Sequence, residues 1–118
     1  MAVFVGNPLS GSTNGRPIPV VATATAGTLI HTAVAGTAGY DEVFIWASNV
    51  TAAVATLTLE FGGVADPGDH LIKNYSIAPY SGGILVVAGQ RVQGGVAIRA
   101  FSGTASAINL TGFYDRRQ

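Results

Sequence analysis

The sequence predicts a single all-β domain, and three observations lead to this fold class. From residue 18 onward the chain is rich in Thr, Val, Ile and aromatic residues, which favour strands. Clusters of Gly and Pro interrupt it about every 8–12 residues, the spacing of turns between short strands. No window keeps an apolar stripe with the 3.6-residue period of a helix. We therefore predict a β-sandwich of about eight short strands, in jelly-roll or immunoglobulin-like order.

Each predicted strand is a short run of strand-favouring residues bounded by turn residues. Alternation of apolar and polar residues is clearest in two of them, at 54–61 and 106–114. In the first, Glu60 belongs to the polar set, so we expect it on a solvated outer face. The complete set of predicted strands lies near 18–25, 28–35, 42–49, 54–61, 70–77, 83–88, 95–101 and 106–114.

One predicted strand, at 42–49, is apolar on both faces. Its residues 43–47 (VFIWA) include no polar side chain except the indole N–H of Trp46. Such a run is typical of a central strand that is covered on both sides. It is equally consistent with a strand whose outer face meets another subunit, and the sequence leaves both interpretations open. The simplest role for the lone Trp46 is packing.

Residues 1–19 differ from the rest and are predicted to form an extended N-terminal arm ahead of a sandwich domain at 20–118. Turn and extended-chain signals follow each other closely here, for example at Asn7-Pro8. The arm nevertheless carries apolar side chains, which a solvated tail rarely does. It is therefore either a strand pinned to the edge of the sandwich or an arm that docks on a neighbouring subunit. The predicted interface residues of the arm are Val3, Phe4, Val5 and Leu9.

Charge is scarce along the whole chain. Its 118 residues include six basic and six acidic side chains, so only 10% are charged, against about 25% in typical proteins. Such a balanced, weakly charged surface has no field that would steer nucleic acid or an anionic membrane to it. It also gives little charge repulsion between copies. We therefore expect no nucleic-acid or membrane partner, and we expect protein partners to cover much of the surface.

Targeting and redox signals are also missing from the sequence. The chain has no cysteine, which excludes disulfides and thiolate metal sites. Its first residues, MAVFVG, lack the basic region and the long apolar run of a signal peptide. No segment approaches the roughly 20 consecutive apolar residues that a membrane-spanning helix needs. The protein is therefore expected to be intracellular when it is made.

The candidate metal ligands are two histidines and the acidic residues near them. His70 follows the turn that contains Asp66 and Asp69, and His31 lies in a predicted strand. Their spacing matches no known set of zinc or calcium ligands. A β-turn whose Asp side chains cap their own backbone is the simpler interpretation. We therefore predict neither a metal site nor a cofactor.

Residues for catalysis are equally sparse. The sequence has no Gly-x-Ser-x-Gly nucleophile and no glycine-rich phosphate loop. Glu60 is expected to be a solvated or interface charge, and the pair Asp41-Glu42 is expected to close a turn before a strand. We therefore predict that the protein is not an enzyme and has no catalytic residue.

Two adjacent arginines, Arg116 and Arg117, stand near the end of the sequence. Such a pair can bind the carboxylates of a neighbouring subunit through bidentate hydrogen bonds, and it can equally point into water. Two positive charges are too few for a nucleic-acid site. We therefore add Arg116 and Arg117 to the predicted protein interface.

Three segments with this strand pattern stand out: TLIHTA at 28–33, YDEVFIW at 40–46 and LTLEFGG at 57–63. Through them, and over about residues 25–115, the sequence resembles small structural proteins encoded among the head genes of tailed bacteriophages. The resemblance implies a capsid decoration or cement protein, a homotrimer that binds the outside of the major capsid lattice and stabilises the head. It also implies the major capsid protein as partner, synthesis in the host cytoplasm and a final place on the capsid surface of the virion.

Two other functions remain open at this stage. A tail, neck or fibre-base component of the virion can use the same kind of domain. A carbohydrate-binding module needs exposed aromatic side chains with polar neighbours, for which the candidates are Tyr75, Tyr80 and Tyr114.

Overall fold

The computed structural model describes residues 6–118, and every regular element within them is a strand. This confirms the predicted all-β class. A strand is present over the predicted range 70–77, and strands lie within one or two residues of the predicted ranges 42–49 and 54–61. The strands of the described residues are β1 (Asn7–Pro8), β2 (Ile18–Pro19), β3 (Thr28–Thr32), β4 (Tyr40–Asn49), β5 (Ala55–Phe61), β6 (His70–Ile77), β7 (Ile84–Val92), β8 (Ala97–Ser102) and β9 (Ile108–Arg117).

These strands form two antiparallel sheets. Sheet A has the order β1-β9-β4-β7, with β2 also paired to β9, and sheet B has the order β3-β8-β5-β6. One hydrophobic cluster draws on both sheets, so they pack face to face as a β-sandwich. From β2 onward, every connection crosses between the sheets except the β5–β6 hairpin. This is the strand order of a jelly roll, which was one of the two predicted orders.

The core follows from the alternation of side chains along the strands. In β4 the residues alternate between half-buried and buried, so Val43, Ile45 and Ala47 point into the sandwich. Leu57 and Leu59 of β5 belong to the same cluster from sheet B. Burial of one such large apolar side chain stabilises the fold by roughly 1.5–3 kcal/mol. The cluster is therefore what holds the two sheets together.

The N-terminal segment lies against the sandwich over its described part. Both β1 and β2 pair with β9, starting at Asn7 and at Ile18. Between them, Leu9 is only 1% exposed and belongs to the core cluster. Residues 6–19 are therefore anchored to the edge of sheet A, because apolar side chains on both sides of their turns enter the core. The first five residues of the predicted arm lie outside the described residues.

The prediction that Glu60 is solvated is wrong. Glu60 belongs to the polar set of β5, yet its side chain is fully buried. The loop between β2 and β3 crosses over it, and both the hydroxyl of Thr25 and the N–H of Gly27, the latter at 2.6 Å, donate to its carboxylate. This loop replaces most of the strand predicted at 18–25, of which only Ile18–Pro19 forms. The buried carboxylate thereby fastens the loop to the outer face of sheet B.

Candidate interaction surfaces

Three aromatic side chains form a strip on the outer face of sheet A. They alternate with the buried residues of their strands, so strand geometry points them away from the core. Phe44 is the register partner of Phe113, with ring centroids 4.8 Å apart, and the ring of Trp46 is 5.9 Å from that of Phe113. All three are half-buried, and no strand within residues 6–118 forms a third layer over them. We call Phe44, Trp46 and Phe113 the aromatic strip.

The backbone comes close to the aromatic strip at two glycines. A Cβ atom on Gly6 would lie 2.8 Å from Cδ2 of Phe113, and one on Gly89 would lie 3.3 Å from Cζ of Phe44. Gly89 also has a φ of +85°, which residues with a side chain rarely adopt. Leu85 of β7 adjoins the strip and is 46% exposed. The strip is therefore an apolar area in which the backbones of Gly6 and Gly89 pack closely against the rings of Phe113 and Phe44.

Charged residues border the aromatic strip at the end where β4 begins. Glu42 lies two residues before Phe44, on the same outer face. Its Oε1 is 3.3 Å from a guanidinium nitrogen of Arg91 and 3.7 Å from one of Arg117. The guanidinium of Arg91 also lies over the ring of Tyr40, 4.5 Å from its centroid. Partly exposed ion pairs of this kind add little stability, about 0–1 kcal/mol each, but they define where the apolar area stops.

A buried polar network lies on the inner side of the same sheet. His31 contacts Oδ2 of Asp41 through Nε2 at 2.8 Å and the N–H of Ser10 through Nδ1 at 3.1 Å. Because a carboxylate accepts and a backbone N–H donates, the ring is the neutral Nε2–H tautomer. Arg116 donates to both oxygens of the Asp41 carboxylate, at 2.7 and 3.0 Å. The ring of Tyr114 lies against that of His31, with centroids 4.3 Å apart. The network thus joins the N-terminal segment, β3, β4 and β9.

Both His31 and Asp41 have shifted pKa values. Burial lowers the pKa of His31 below its ordinary value, and this effect outweighs the hydrogen bond and charge of Asp41, which favour a protonated ring. Burial alone would raise the pKa of Asp41, but the hydrogen bonds from Arg116 and His31 bring it below its ordinary value. At neutral pH the network therefore holds a neutral imidazole and an ionised carboxylate.

The buried role of Asp41 was not predicted. This residue was expected in a turn, whereas it lies within β4 and is fully buried. Its partners His31 and Arg116 are 10 and 75 residues away in the chain, too far for a local pattern to connect them. The alternation of side chains along β4 was the available signal, because Asp41 lies two residues before the buried Val43 and therefore points to the same face.

The predicted interface residues fall in different places. Arg116 binds Asp41 of its own chain, and Arg117 lies beside Glu42. The side chain of Leu9 packs in the core. Both arginines thus lie at one end of sheet A, Arg116 on its inner face and Arg117 on its outer face. Their part in a protein interface stays a prediction. Outside the described residues lie Val3, Phe4 and Val5.

The second histidine lies at the start of β6, beside the β5–β6 loop. The side chain of His70 is 4% exposed, and its Nδ1 is 3.6 Å from Oδ1 of Asp66. Lys73 donates to the same oxygen of Asp66 at 2.7 Å, which lowers the pKa of that carboxyl. Oδ2 of Asp69 accepts from the N–H of Ala65 at 3.0 Å, as predicted for an Asp that caps its own turn. Among the described residues, no group of three or more His, Asp or Glu side chains is placed to hold a metal ion.

The fold and these surfaces define a jelly-roll β-sandwich with an apolar outer face on one sheet. No protein-family model, curated protein or solved structure matches the chain. None of the described residues forms a helix that is long and apolar enough to cross a membrane.

Proposed function

We propose that the chain is a virion structural protein: a decoration, or cement, protein that binds the outside of the major capsid lattice of a tailed bacteriophage and stabilises the head. The observation that carries this proposal is the aromatic strip, an apolar sheet face over which the described residues place no third layer. Jelly-roll domains are frequent in viral capsids. The resemblance of the sequence to phage head proteins supports the same function.

The aromatic strip suits a long-lived contact between subunits. Aromatic rings bury a large area and lose little side-chain entropy when they do so. Phe44 and Phe113 are already fixed by strand pairing and by the glycine backbones beside them, so binding requires little further ordering. In this proposal the strip packs against a second copy of the chain in a homotrimer. Several linked copies then bind a repeating lattice with high avidity.

The scarcity of charge supports binding between uncharged surfaces. Six acidic and six basic side chains in 118 residues leave most of the surface without a formal charge. Contacts that depend on charge weaken as salt rises, whereas burial of apolar area does not. We therefore expect the attachment to the capsid to survive high salt.

The test is co-sedimentation of the purified protein with expanded shells assembled from the major capsid protein of the same genome. We expect the protein to sediment with the shells at both low and high salt and to raise the temperature at which they come apart. A Trp46→Ser variant is expected to be monomeric by light scattering and to bind the shells more weakly. The matched control is Tyr75→Ser, which removes an aromatic ring from sheet B. Wild-type protein that stays in the supernatant would contradict the proposal.

A tail, neck or fibre-base position in the virion is the closest competing function. Copy number separates it from decoration, because a lattice offers on the order of hundreds of equivalent sites and a neck ring about a dozen. Quantitative mass spectrometry of purified virions, calibrated on the major capsid protein, measures this ratio. A ratio of about a dozen copies per virion would favour a tail or neck position over decoration of the head.

Carbohydrate binding is a second candidate because two tyrosines are strongly exposed. Tyr80 is 72% exposed and Tyr75 is 45% exposed, and exposed aromatic faces are what sugar rings stack on. Tyr114 fits this function less well, because its ring is half-buried against His31. Binding on a glycan array that is lost in a Tyr80→Ser variant would favour this function over decoration.

A further inference from the structure

One end of the sandwich is built from four loops without a charged residue. These loops join β2 to β3, β4 to β5, β6 to β7 and β8 to β9, and they contain no Asp, Glu, Lys, Arg or His. We call them the uncharged end. Its loops span residues 20–27, 50–54, 78–83 and 103–107.

Hydrogen bonds tie the loops of the uncharged end to one another. The N–H of Val50 donates to the carbonyl oxygen of Ala107 at 2.9 Å, and the N–H of Tyr80 donates to that of Thr51 at 3.1 Å. Another backbone bond joins the β8–β9 loop to the β2–β3 loop. The side chain of Asn49 adds bonds to the carbonyl oxygens of the β4–β5 loop and of β6. The surface is therefore preformed, which reduces the entropy lost on binding.

Large apolar side chains are exposed together on this surface. Tyr80 is 72% exposed, Val54 58%, Val21 56% and Val50 48%. They come from three different loops, so the fold has gathered them from distant parts of the chain. Single exposed apolar residues are ordinary, whereas several at one place mark an interaction site.

Most charged residues of the strands lie away from the uncharged end, but Glu60 and Arg99 contact the part of the β2–β3 loop that crosses the outer face of sheet B. β4 starts at the opposite end and carries Asp41 and Glu42 near its start, and β9 finishes there and carries its charges in its last three residues. The acidic pair Asp66 and Asp69 lies in the β5–β6 loop, also at the opposite end. Lys73 and Arg91 lie in the halves of their strands farther from the uncharged end. Glu60 accepts hydrogen bonds from Thr25 and Gly27, and Arg99 donates to the carbonyl oxygen of Gly27 at 3.4 Å, so these bonds join charged side chains of sheet B to the last part of this loop and not to residues 20–24.

We infer that the uncharged end is the surface that contacts the capsid lattice, and that its partner there is an uncharged, apolar area of the major capsid protein. This inference rests on the proposed function and adds to it the face and the chemistry of the contact. The charge pattern selects the partner. A charged group of the partner would lose its water at this surface and would meet no opposite charge in the four loops. The charged opposite end then faces the solvent.

The experiment places a charge at each end of the molecule in turn. Val54→Asp and Val21→Asp put a carboxylate on two different loops of the uncharged end, at side chains that are already exposed. The matched control is Val64→Asp, because Val64 is 47% exposed in the β5–β6 loop of the opposite end. Co-sedimentation with the capsid shells gives the apparent Kd of each variant, and circular dichroism and thermal melting verify that each is folded. We expect both uncharged-end variants to bind about tenfold or more weakly and the control to stay within about twofold of the wild type.

The other outcomes distinguish failure of this inference from failure of the proposed function. Wild-type binding with unchanged affinity of Val54→Asp and Val21→Asp would overturn this inference and leave the proposed function standing. Equal weakening by Val64→Asp would place the contact elsewhere and would also overturn it. Wild-type protein that fails to bind shells would overturn the proposed function, and this inference with it. A wild-type oligomer that Val54→Asp converts to monomer, with shell binding intact, would show that a second copy occupies this end.

Discussion

His31, Asp41 and Arg116 connect parts of the chain that lie far apart in sequence, and each polar atom of the Asp41 carboxylate and the His31 ring has a partner. Asp41 accepts from Nε2 of His31, from Nε and Nη2 of Arg116 and from the N–H of Val34 at 3.1 Å. A buried carboxylate is tolerable only when it is satisfied in this way. At the residue scale, loss of one member of the network would leave the others buried without a partner, so we expect such a loss to lower the stability of the domain.

Asp41→Asn tests the weight of this network. The amide keeps the size of the side chain but removes the charge that pairs with Arg116, and its NH₂ cannot accept a hydrogen bond. We expect the free energy of unfolding in urea to fall by about 2–4 kcal/mol. The control is Asp115→Asn, a partly exposed acidic residue on the outer face of the same sheet, which should change stability by less than about 0.5 kcal/mol. Equal losses of unfolding free energy in the two variants would show that the buried network of Asp41 does not stabilise the fold more than an exposed carboxylate does.

The pH dependence of stability follows from the shift at His31. The pKa of folded His31 is below its ordinary value of 6.5, so the folded chain binds this proton less readily than the unfolded chain. Stability from this group is therefore complete above pH 6.5 and is lost as the pH falls through 6.5 towards the folded pKa. The pKa of Asp41 is lowered from 3.8, so its contribution is lost only at more acidic pH.

Urea unfolding at about pH 7.5 and about pH 5.5 measures the His31 effect. We expect a lower midpoint at the acidic pH for the wild type. The pH dependence should be smaller in His31→Gln, which removes the titrating imidazole. A wild-type midpoint that stays constant or rises on acidification contradicts this reading of the network.

At the scale of elements, the pairing of β4 with β9 positions both the buried network and the aromatic strip. The two strands are in register from Tyr40↔Arg117 to Asn49↔Ile108. Alternation then sends Asp41 and Arg116 inward and Phe44 and Phe113 outward. A slip of one residue would exchange these faces, so the register must be well fixed.

Gly112→Ala tests how closely β4 and β9 must approach. A Cβ atom at Gly112 would lie 1.9 Å from the backbone oxygen of Phe44, a contact that only movement of the strands can relieve. We expect a loss of about 3 kcal/mol or more in the free energy of unfolding, because the obstacle is backbone in the centre of sheet A. The control is Gly68→Ala, where a Cβ atom would meet nothing within 4 Å. A thermal melt of Gly112→Ala that matches the wild type would contradict the strand spacing.

The elements were predictable where a local pattern defines them. β6 matches its predicted range, and β4 and β5 differ from theirs by one or two residues, because period-two alternation and flanking turn residues are local signals. The burial of Glu60 was not predictable. Its partners Thr25 and Gly27 come from a loop more than 30 residues away, which crosses the outer face of sheet B only because of the strand order. The loop residues 20–25 were predicted as strand because Val and Thr favour strands wherever they occur.

At the scale of the whole molecule, most charged side chains lie towards one end of the sandwich, and the four loops of the other end contain none. The sequence predicted a surface poor in charge, but not where the charges would lie. The uncharged end is assembled from four loops that are distant in sequence, and the jelly-roll order brings them together. Residues 43–47 were predicted to form either a strand covered on both sides or a strand whose outer face meets another subunit. In the structure, β4 is an inner strand of sheet A with one buried face and one half-buried aromatic face.

The separation of charge fits a protein with one face towards a large partner and another towards solvent. In the proposed assembly, the aromatic strip joins copies of the chain, the uncharged end meets the lattice and the charged end is exposed. The aromatic strip lies on paired strands, and hydrogen bonds join the loops of the uncharged end, so we expect little conformational change on assembly.

The proposed place on a phage head is tested by cryo-electron microscopy of particles assembled from the major capsid protein in the presence of this chain. We expect density for the jelly roll on the outside of the head at repeated lattice sites, with the loops that contain Val54 and Tyr80 turned towards the major capsid protein. Heads without this density would rule out the decoration function.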